Sequence, residues 1–150
     1  MSSNIIILGG GESGVGAAVL AKHKGHPVFL SDGGALKEIY KAELRANEIE
    51  FEEGGHSVER ILAADEVVKS PGIPEKNEMV KAIRAKGIPV ISEIELAYRY
   101  KGESTIIAIT GSNGKSTTTA LIYHICKTAE LDCAMAVSYT HLTLPTNREV

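Results

Sequence analysis

Two glycine-rich stretches carry the residues of this chain that could do chemistry. The first is G-G-G-E-S-G at positions 9 to 14, and the second is T-G-S-N-G-K-S-T from Thr110 to Thr117. Glycines let backbone N–H groups approach a ligand closely. Each stretch also precedes a predicted helix, whose first N–H groups lack internal partners and favour an anion. Both stretches therefore predict phosphate-binding turns.

The second stretch predicts a nucleoside triphosphate. Lys115 would place a full charge at the β- and γ-phosphates, which makes it the candidate catalytic residue, and Ser116 has the hydroxyl that such loops place on Mg²⁺. The common spacing G-x-x-x-x-G-K-[ST] would need a glycine at position 109, where Ile109 stands. The alternative is a turn that merely joins a strand to a helix. Gly111 and Gly114 would let the backbone N–H groups of this turn approach the phosphates closely.

The first stretch has the spacing G-x-G-x-x-G and lies between an apolar strand, Asn4 to Leu8, and a helix predicted from Val15 to Lys24. Such a turn can hold a diphosphate at the start of the helix. The next predicted strand ends at Asp32, whose carboxylate could accept hydrogen bonds from a ribose or a base. Alone, this pattern would suggest a nicotinamide or flavin cofactor. A turn without a ligand, with Asp32 as a helix cap or solvated turn residue, stays open.

A further candidate is the loop Ser70-Pro71-Gly72-Ile73-Pro74, where two prolines fix the backbone. A rigid loop suits recognition, although a plain turn fits the composition equally well. The five histidines show no spaced cluster, and Cys126 and Cys133 lack metal-ligand spacing, so we expect surface histidines and buried cysteines without a disulfide.

The elements that must position these residues alternate regularly along the chain. Strands are predicted at 28–31, 50–52, 66–69 and 89–92, and helices at 36–47, 58–63, 76–86 and 93–100. This alternation predicts an α/β fold, a Rossmann-like doubly wound parallel sheet over residues 1–100, with ligands at the carboxyl ends of the strands. A polar boundary follows at 100–104. Beyond it the sequence predicts a buried strand from Thr105 to Ile109, a helix that opens at Lys115 or Ser116, and a strand from Cys133 to Ala136. These elements predict the start of a P-loop α/β ATP-binding domain over 101–136.

Composition excludes several classes of protein. The 150 residues are 43% hydrophobic and 23% charged with a net charge of −3, and no long basic run suggests nucleic-acid binding. No apolar segment approaches the roughly 20 residues needed to cross a bilayer. We expect a cytoplasmic protein with no nucleic-acid or membrane partner.

Up to Ala136 the chain resembles the N-terminal part of the Mur ligase family. The resemblance rests on five segments in matching order and spacing, and the ATP loop is also similar to that of folylpolyglutamate synthetases. The segments are I-I-I-L-G-G-G-E-S-G at Ile5 to Gly14, the strand end at Asp32, the S-P-G-I-P loop, S-E-I-E-L at Ser92 to Leu96, and the loop from Thr110 to Thr117.

Within that family the motifs resemble the ligases that add D-glutamate to UDP-N-acetylmuramoyl-L-alanine. The resemblance implies that the first domain binds the UDP moiety and that the second binds ATP and Mg²⁺. The ATP-binding residues it implies are Gly111, Ser112, Asn113, Gly114, Lys115, Ser116 and Thr117. It implies a reaction in which the alanyl carboxylate attacks the γ-phosphate of ATP and the amine of D-glutamate displaces phosphate from the acyl phosphate. The UDP-binding residues it implies are Gly11, Glu12, Ser13, Gly14, Asp32, Ser70, Pro71 and Gly72.

The resemblance stops at Ala136, before the family's remaining metal-binding and D-glutamate positions. We therefore expect this chain to be inactive alone, residues 137–150 to be a non-native tail, and the full-length protein to be a monomer. Two alternatives stay open. An NAD-dependent oxidoreductase would use the first glycine loop and leave the second unexplained, and a nucleotide-binding regulatory module would explain both loops without their combination with the other motifs.

Overall fold

The computed structural model describes residues 2–135, and the chain divides into two compact units between Gly102 and Glu103. In the first unit, strands and helices alternate strictly. The elements are β1 (Ile5–Leu8), α1 (Glu12–His23), β2 (Val28–Asp32), α2 (Glu38–Ala46), β3 (Glu50–Glu53), α3 (Val58–Leu62), β4 (Glu66–Lys69), α4 (Glu78–Ala85), β5 (Val90–Ser92) and α5 (Glu93–Arg99).

The five strands form one parallel sheet in the order β3-β2-β1-β4-β5. Ile5 of the central strand pairs with Val28 on one side and with Glu66 on the other. The chain therefore winds outward from β1 to β3 and then returns to the other side of β1. This order confirms the predicted doubly wound α/β fold, and it places the topological switch point between β1 and β4.

Side chains of β1 alternate between two hydrophobic layers because successive residues of a strand point to opposite faces. Ile5 and Ile7 pack in a layer with α1, whereas Ile6 and Leu8 pack in a layer with Ile61 of α3. All four β1 side chains are almost fully buried. Each such burial contributes about 1.5–3 kcal/mol, so β1 is the rigid base from which the first glycine loop leaves.

Helix starts differ from the predicted positions where a cap decides them. The helix α1 begins at Glu12 and not at Val15, because Gly11 already has extended backbone angles and serves as its N-cap. The helix α4 begins at Glu78 and not at Lys76, because the side chain of Asn77 accepts a hydrogen bond from the N–H of Met79. The side chain of Ser92 likewise accepts a hydrogen bond from the N–H of Glu95, and α5 begins at Glu93 as predicted.

The second unit contains α6 (Lys115–Thr128), which begins where it was predicted. The predicted strands are wrong: 105–109 and the described part of Cys133–Ala136 form no strand, and Ile107 is 64% exposed. A strand needs a neighbour for its hydrogen bonds, and residues 103–135 provide none. The start of a P-loop domain therefore stays a prediction.

Side chains of the second unit are also less buried than the sequence pattern indicates. Leu121 and Ile125 on the predicted apolar face of α6 are exposed, and Cys126 and Cys133 are free but only half-buried. The expected non-native tail, 137–150, lies outside the described residues. None of the helices within residues 2–135 combines the length and apolar character that a membrane span needs.

Candidate nucleotide-binding site

The first glycine loop and the loop after β4 pack against each other at the switch point of the sheet. The N–H of Gly9 donates to the carbonyl of Ser31, and the N–H of Ser70 donates to the carbonyl of Leu8, both at 2.9 Å. Gly9 has a φ of 102°, and a Cβ there would lie 2.8 Å from the Cβ of Ser70. Only a glycine allows this backbone conformation and this approach.

Two other glycines of the loop are required by packing, and one is not. A Cβ on Gly14 would lie 2.0 Å from the carbonyl oxygen of Gly9, and a Cβ on Gly10 would lie 1.9 Å from Cδ2 of Leu36. Gly11 is exposed, and a Cβ there would meet nothing within 4 Å. The loop thus holds the start of α1 close to the end of β1 and leaves open space beside Gly11.

This geometry has the features that suit an anion. The first N–H groups of α1 have no partner inside the helix, and they carry the positive end of the helix dipole. Glu12 lies half-buried at this helix start, and Gly14 belongs to the first turn. The open space around Gly11 would let an anion approach the backbone at this helix start.

Asp32 connects the first glycine loop to the turn after β2. One carboxylate oxygen, Oδ2, accepts a hydrogen bond from the N–H of Gly10 at 2.5 Å, and Oδ1 accepts one from the N–H of Gly34 at 2.7 Å. Asp32 is half-buried, and its hydrogen bond with Gly10 places the carboxylate at the same edge of the sheet as the first glycine loop. A carboxylate can accept about four hydrogen bonds, so it has capacity left for a ligand donor.

Ser13 turns its hydroxyl into the protein. Its Oγ donates to Oε1 of Glu93 at 3.0 Å, and both side chains are buried. What Ser13 offers to a ligand is therefore its backbone N–H. Glu93, the first residue of α5, is a supporting residue that the sequence reasoning missed, and the only signal for it was its place in the S-E-I-E-L segment.

The side chain of Lys69 fixes the loop Ser70–Pro74. The Lys69 ammonium donates to the carbonyl of Ile73 at 2.7 Å and pairs with the Glu75 carboxylate at 3.3 Å. The Arg84 guanidinium, together with Lys69, holds the pKa of Glu75 below its usual value. Pro71 and Gly72 are exposed at the tip of this loop. The loop thus presents a rigid tip at the switch point.

A polar cluster follows on the other side of the site, at the ends of β2 and β3. The Ser31 hydroxyl lies 2.6 Å from Oε1 of Glu52 and 2.6 Å from Nδ1 of His56. Burial alone would raise the pKa of Glu52, but hydrogen bonds from Ser31 and Ser57 outweigh it and lower the pKa. The sequence reasoning expected His56 to be a surface residue, and nothing in the local sequence linked it to Ser31.

The second unit presents a separate turn at the start of α6. Gly114 caps the helix with a φ of 77°, which favours glycine. The Lys115 ammonium folds back over the turn to the carbonyls of Gly111 at 2.5 Å and Ser112 at 3.4 Å. Ser116 and Thr117 are exposed on the first turn of the helix, and Asn113 is exposed in the turn.

The structure therefore brings the predicted UDP-binding residues to one edge of the first unit, and it gathers the predicted triphosphate-binding residues at one helix start in the second. In the part of the chain that the structure describes, no group of three or more His, Cys, Asp or Glu side chains could hold a metal ion.

Comparisons with known proteins identify the family of this chain. A family model described as the MurD N-terminal domain matches residues 4–79. The chain is 57% identical over 132 residues to the UDP-N-acetylmuramoylalanine–D-glutamate ligase of Bacteroides thetaiotaomicron, covering 88% of this chain and 30% of that protein. The ligase of the same name from Cytophaga hutchinsonii is 58% identical over 126 residues, covering 83% of this chain and 28% of that protein.

Among solved structures, one neighbour is the UDP-N-acetylmuramate:L-alanyl-γ-D-glutamyl-meso-diaminopimelate ligase of Neisseria meningitides. Its TM-score is 0.66 with 26% sequence identity, covering 86% of this chain and 40% of that chain. This chain spans about 30% of the length of the curated relatives that it matches.

Proposed function

Since this chain belongs to the MurD N-terminal domain family, we propose that it is part of a ligase that joins D-glutamate to UDP-N-acetylmuramoyl-L-alanine at the expense of ATP. The relatives named for this reaction are 57% and 58% identical to it. The product would be a precursor of the peptidoglycan of the cell wall. The protein would act in the cytoplasm as a monomer on these small molecules.

The observation that carries the proposal is the crevice at the switch point between β1 and β4. There the open backbone beside Gly11 meets the start of α1, and Ser70 packs directly on Gly9. Several backbone N–H donors at a helix start suit a diphosphate, whose negative charge the backbone dipoles partly neutralise. We assign the UDP moiety to this crevice, with Asp32 and the tip of the Ser70 loop around it.

One observation of the geometry of the second unit supports binding of ATP there. A Cβ on Gly114 would meet nothing within 4 Å, and the start of α6 is exposed, so a phosphate chain can reach its N–H groups. We assign Lys115 and the first turn of α6 to the phosphates, and Ser116 to Mg²⁺. The group that ATP would supply is the phosphoryl that activates the alanyl carboxylate of the substrate.

The roles of the chain's own residues follow from electrostatics. Lys115 would leave the carbonyls of Gly111 and Ser112, to which it donates here, and stabilise negative charge on the γ-phosphoryl oxygens. Each charge-assisted bond of this kind is worth about 1.5–3 kcal/mol. The N–H groups of the turn would hold the phosphates in place, which is the positioning part of phosphoryl transfer.

Titration calorimetry of the chain with UDP-N-acetylmuramoyl-L-alanine and with NADH tests the proposal. We expect saturable binding of the UDP substrate and none of NADH. Saturable NADH binding without binding of the UDP substrate would favour an oxidoreductase instead. As a control, Asp65→Ala removes a carboxylate that accepts from the N–H of Asn4 at 2.7 Å at the opposite end of the strands, and it should leave the affinity for the UDP substrate unchanged.

A further inference from the structure

A relay of hydrogen bonds connects three side chains at the ends of β2 and β3, the strands that border the proposed UDP site on one side. Glu52 lies on β3, Ser31 lies on β2, and His56 follows β3 in the loop before α3. Oγ of Ser31 is 2.6 Å from Oε1 of Glu52 and 2.6 Å from Nδ1 of His56, and Ser31 is fully buried. The sequence separations of 21 and 25 residues mean that the fold, and not local sequence, assembles the relay.

The relay fixes the direction of each hydrogen bond. Glu52 accepts from the hydroxyl and the N–H of Ser57 as well as from Ser31, and these bonds lower its pKa, so it is a carboxylate near neutral pH. A carboxylate can only accept, so the single hydroxyl hydrogen of Ser31 points to Glu52. Ser31 must then accept from His56, which requires the hydrogen of the neutral imidazole to be on Nδ1.

The other ring nitrogen of His56 is therefore a hydrogen-bond acceptor, and glycine keeps it uncovered. A Cβ at position 33 would lie 3.2 Å from Nε2 of His56. Within residues 2–135, no side chain or backbone group forms a hydrogen bond with Nε2. Nε2 of His56 therefore lies against the backbone of Gly33, the residue that follows Asp32 at the end of β2.

We propose that His56 is a specificity residue for the nucleoside of the UDP substrate, with Nε2 accepting a hydrogen bond from an N–H of the base or an O–H of the ribose. This inference rests on the proposed function, since it places the nucleoside at the end of β2 next to the diphosphate crevice. Ser31 and Glu52 are positioning residues, because they hold the tautomer that makes Nε2 an acceptor.

Binding of UDP to the chain and to single variants tests the inference. We expect His56→Asn, whose shorter amide reaches the position of Nδ1 but not that of Nε2, to raise the dissociation constant for UDP about tenfold. Ser31→Ala should raise it about two- to fivefold, because the imidazole would then divide between two tautomers. His23→Asn, at the far end of α1, is the matched control and should leave it unchanged.

Analogues identify the donor on the nucleoside. If the N–H of uracil is the donor, His56→Asn reduces the preference for UDP over CDP, and if a ribose hydroxyl is the donor, it reduces the preference for UDP over 2′-deoxy-UDP. A purely structural role for His56 would move neither ratio. Equal UDP affinity of the wild-type chain and His56→Asn would overturn the inference alone, whereas absence of UDP binding by the wild-type chain would overturn the proposed function with it.

The tautomer can also be measured without any ligand or variant. Nitrogen-detected NMR of the wild-type imidazole, at a pH where the ring is neutral, should show His56 with its hydrogen on Nδ1. A ring with its hydrogen on Nε2 would contradict the relay. This measurement keeps the inference testable even if His56→Asn does not fold.

Discussion

The substitution Gly14→Ala adds one methyl group where the first turn of α1 passes the end of β1. The new Cβ would lie 2.0 Å from the carbonyl oxygen of Gly9 and 3.1 Å from its carbonyl carbon. Real Cβ atoms essentially never approach a neighbour closer than 3.0 Å. The obstacle is backbone, so no side-chain rotation can relieve the clash, and either the loop or the helix must move.

The magnitude follows from two opposing effects. Overpacking of this kind costs about 1–3 kcal/mol, and we take the upper end because the contact is with backbone. Replacing glycine by alanine inside a helix returns about 1 kcal/mol. We therefore expect the free energy of unfolding to fall by about 2 kcal/mol, which for a domain of this size lowers Tm by about 10–15 °C.

Thermal unfolding followed by circular dichroism measures the change in Tm, and titration with UDP at a temperature below the unfolding transition measures the affinity for UDP. The matched control is Gly11→Ala, because a Cβ at Gly11 meets nothing within 4 Å, and its stability should stay within about 1 kcal/mol of the wild type. Gly14→Ala should also lose UDP affinity, since the start of α1 is displaced. A destabilisation of 1 kcal/mol lowers Tm by roughly 4–8 °C in a domain of this size. A Tm of Gly14→Ala within 2 °C of the Tm of Gly11→Ala would therefore refute this reasoning.

Three further outcomes can be checked. Asp32→Asn should destabilise the chain by about 1–2 kcal/mol and weaken UDP binding, because an amide has one oxygen and cannot accept hydrogen bonds from the N–H groups of both Gly10 and Gly34. Unfolding in urea measures the stability and UDP titration measures the affinity. Unchanged values of both would contradict the role of this carboxylate. In the longer ligase, Lys115→Ala should abolish ligation and leave the affinity for the UDP substrate unchanged, and retained turnover would exclude the assigned role. The pKa of Glu52 is lowered in the folded state, so its stabilising contribution is present above its unfolded-state pKa, near 4.5, and is lost as pH falls through the lower folded-state pKa. Glu52→Gln should therefore destabilise the chain at pH 7 by more than at pH 3, as compared by urea unfolding at the two pH values, and an equal cost at both would contradict the lowered pKa.

The sequence predicts the architecture of the first unit well because its signals are local. The apolar run of β1, the glycines after it and the regular alternation of elements each lie within a few residues of one another. The glycine positions even carry the packing information, since Gly9, Gly10 and Gly14 are the loop residues at which a Cβ would not fit. Local signals of this kind identified the loops at the switch point.

What the sequence could not predict are contacts between distant elements. The hydroxyl of Ser13 meets Glu93 across 80 residues, and Asp32 reaches the N–H of Gly10 across 22. Both side chains were assigned to the ligand from their motifs, whereas the structure shows them also holding the protein together. The relay through Ser31 was missed for the same reason.

The strand predicted at 105–109 failed for a different physical reason. β-Branched residues favour extended backbone, but a strand forms only when a neighbour accepts and donates its hydrogen bonds. In the described part of the second unit no such neighbour exists, and Ile106 and Ile107 stay exposed. The helix α6 formed as predicted because a helix makes its hydrogen bonds within its own segment.

Amide NMR of the chain during titration with UDP-N-acetylmuramoyl-L-alanine tests the account most directly. The N–H groups of residues 10–14, of Gly33 and Gly34, and of Ser70, Gly72 and Ile73 should shift together and saturate at one affinity. Those of Gly25 and Gly87, at the opposite ends of the elements, should not move. Saturating shifts confined to other surfaces, with the N–H groups of Gly11 and Ser13 unchanged, would show that the crevice between β1 and β4 does not hold the diphosphate.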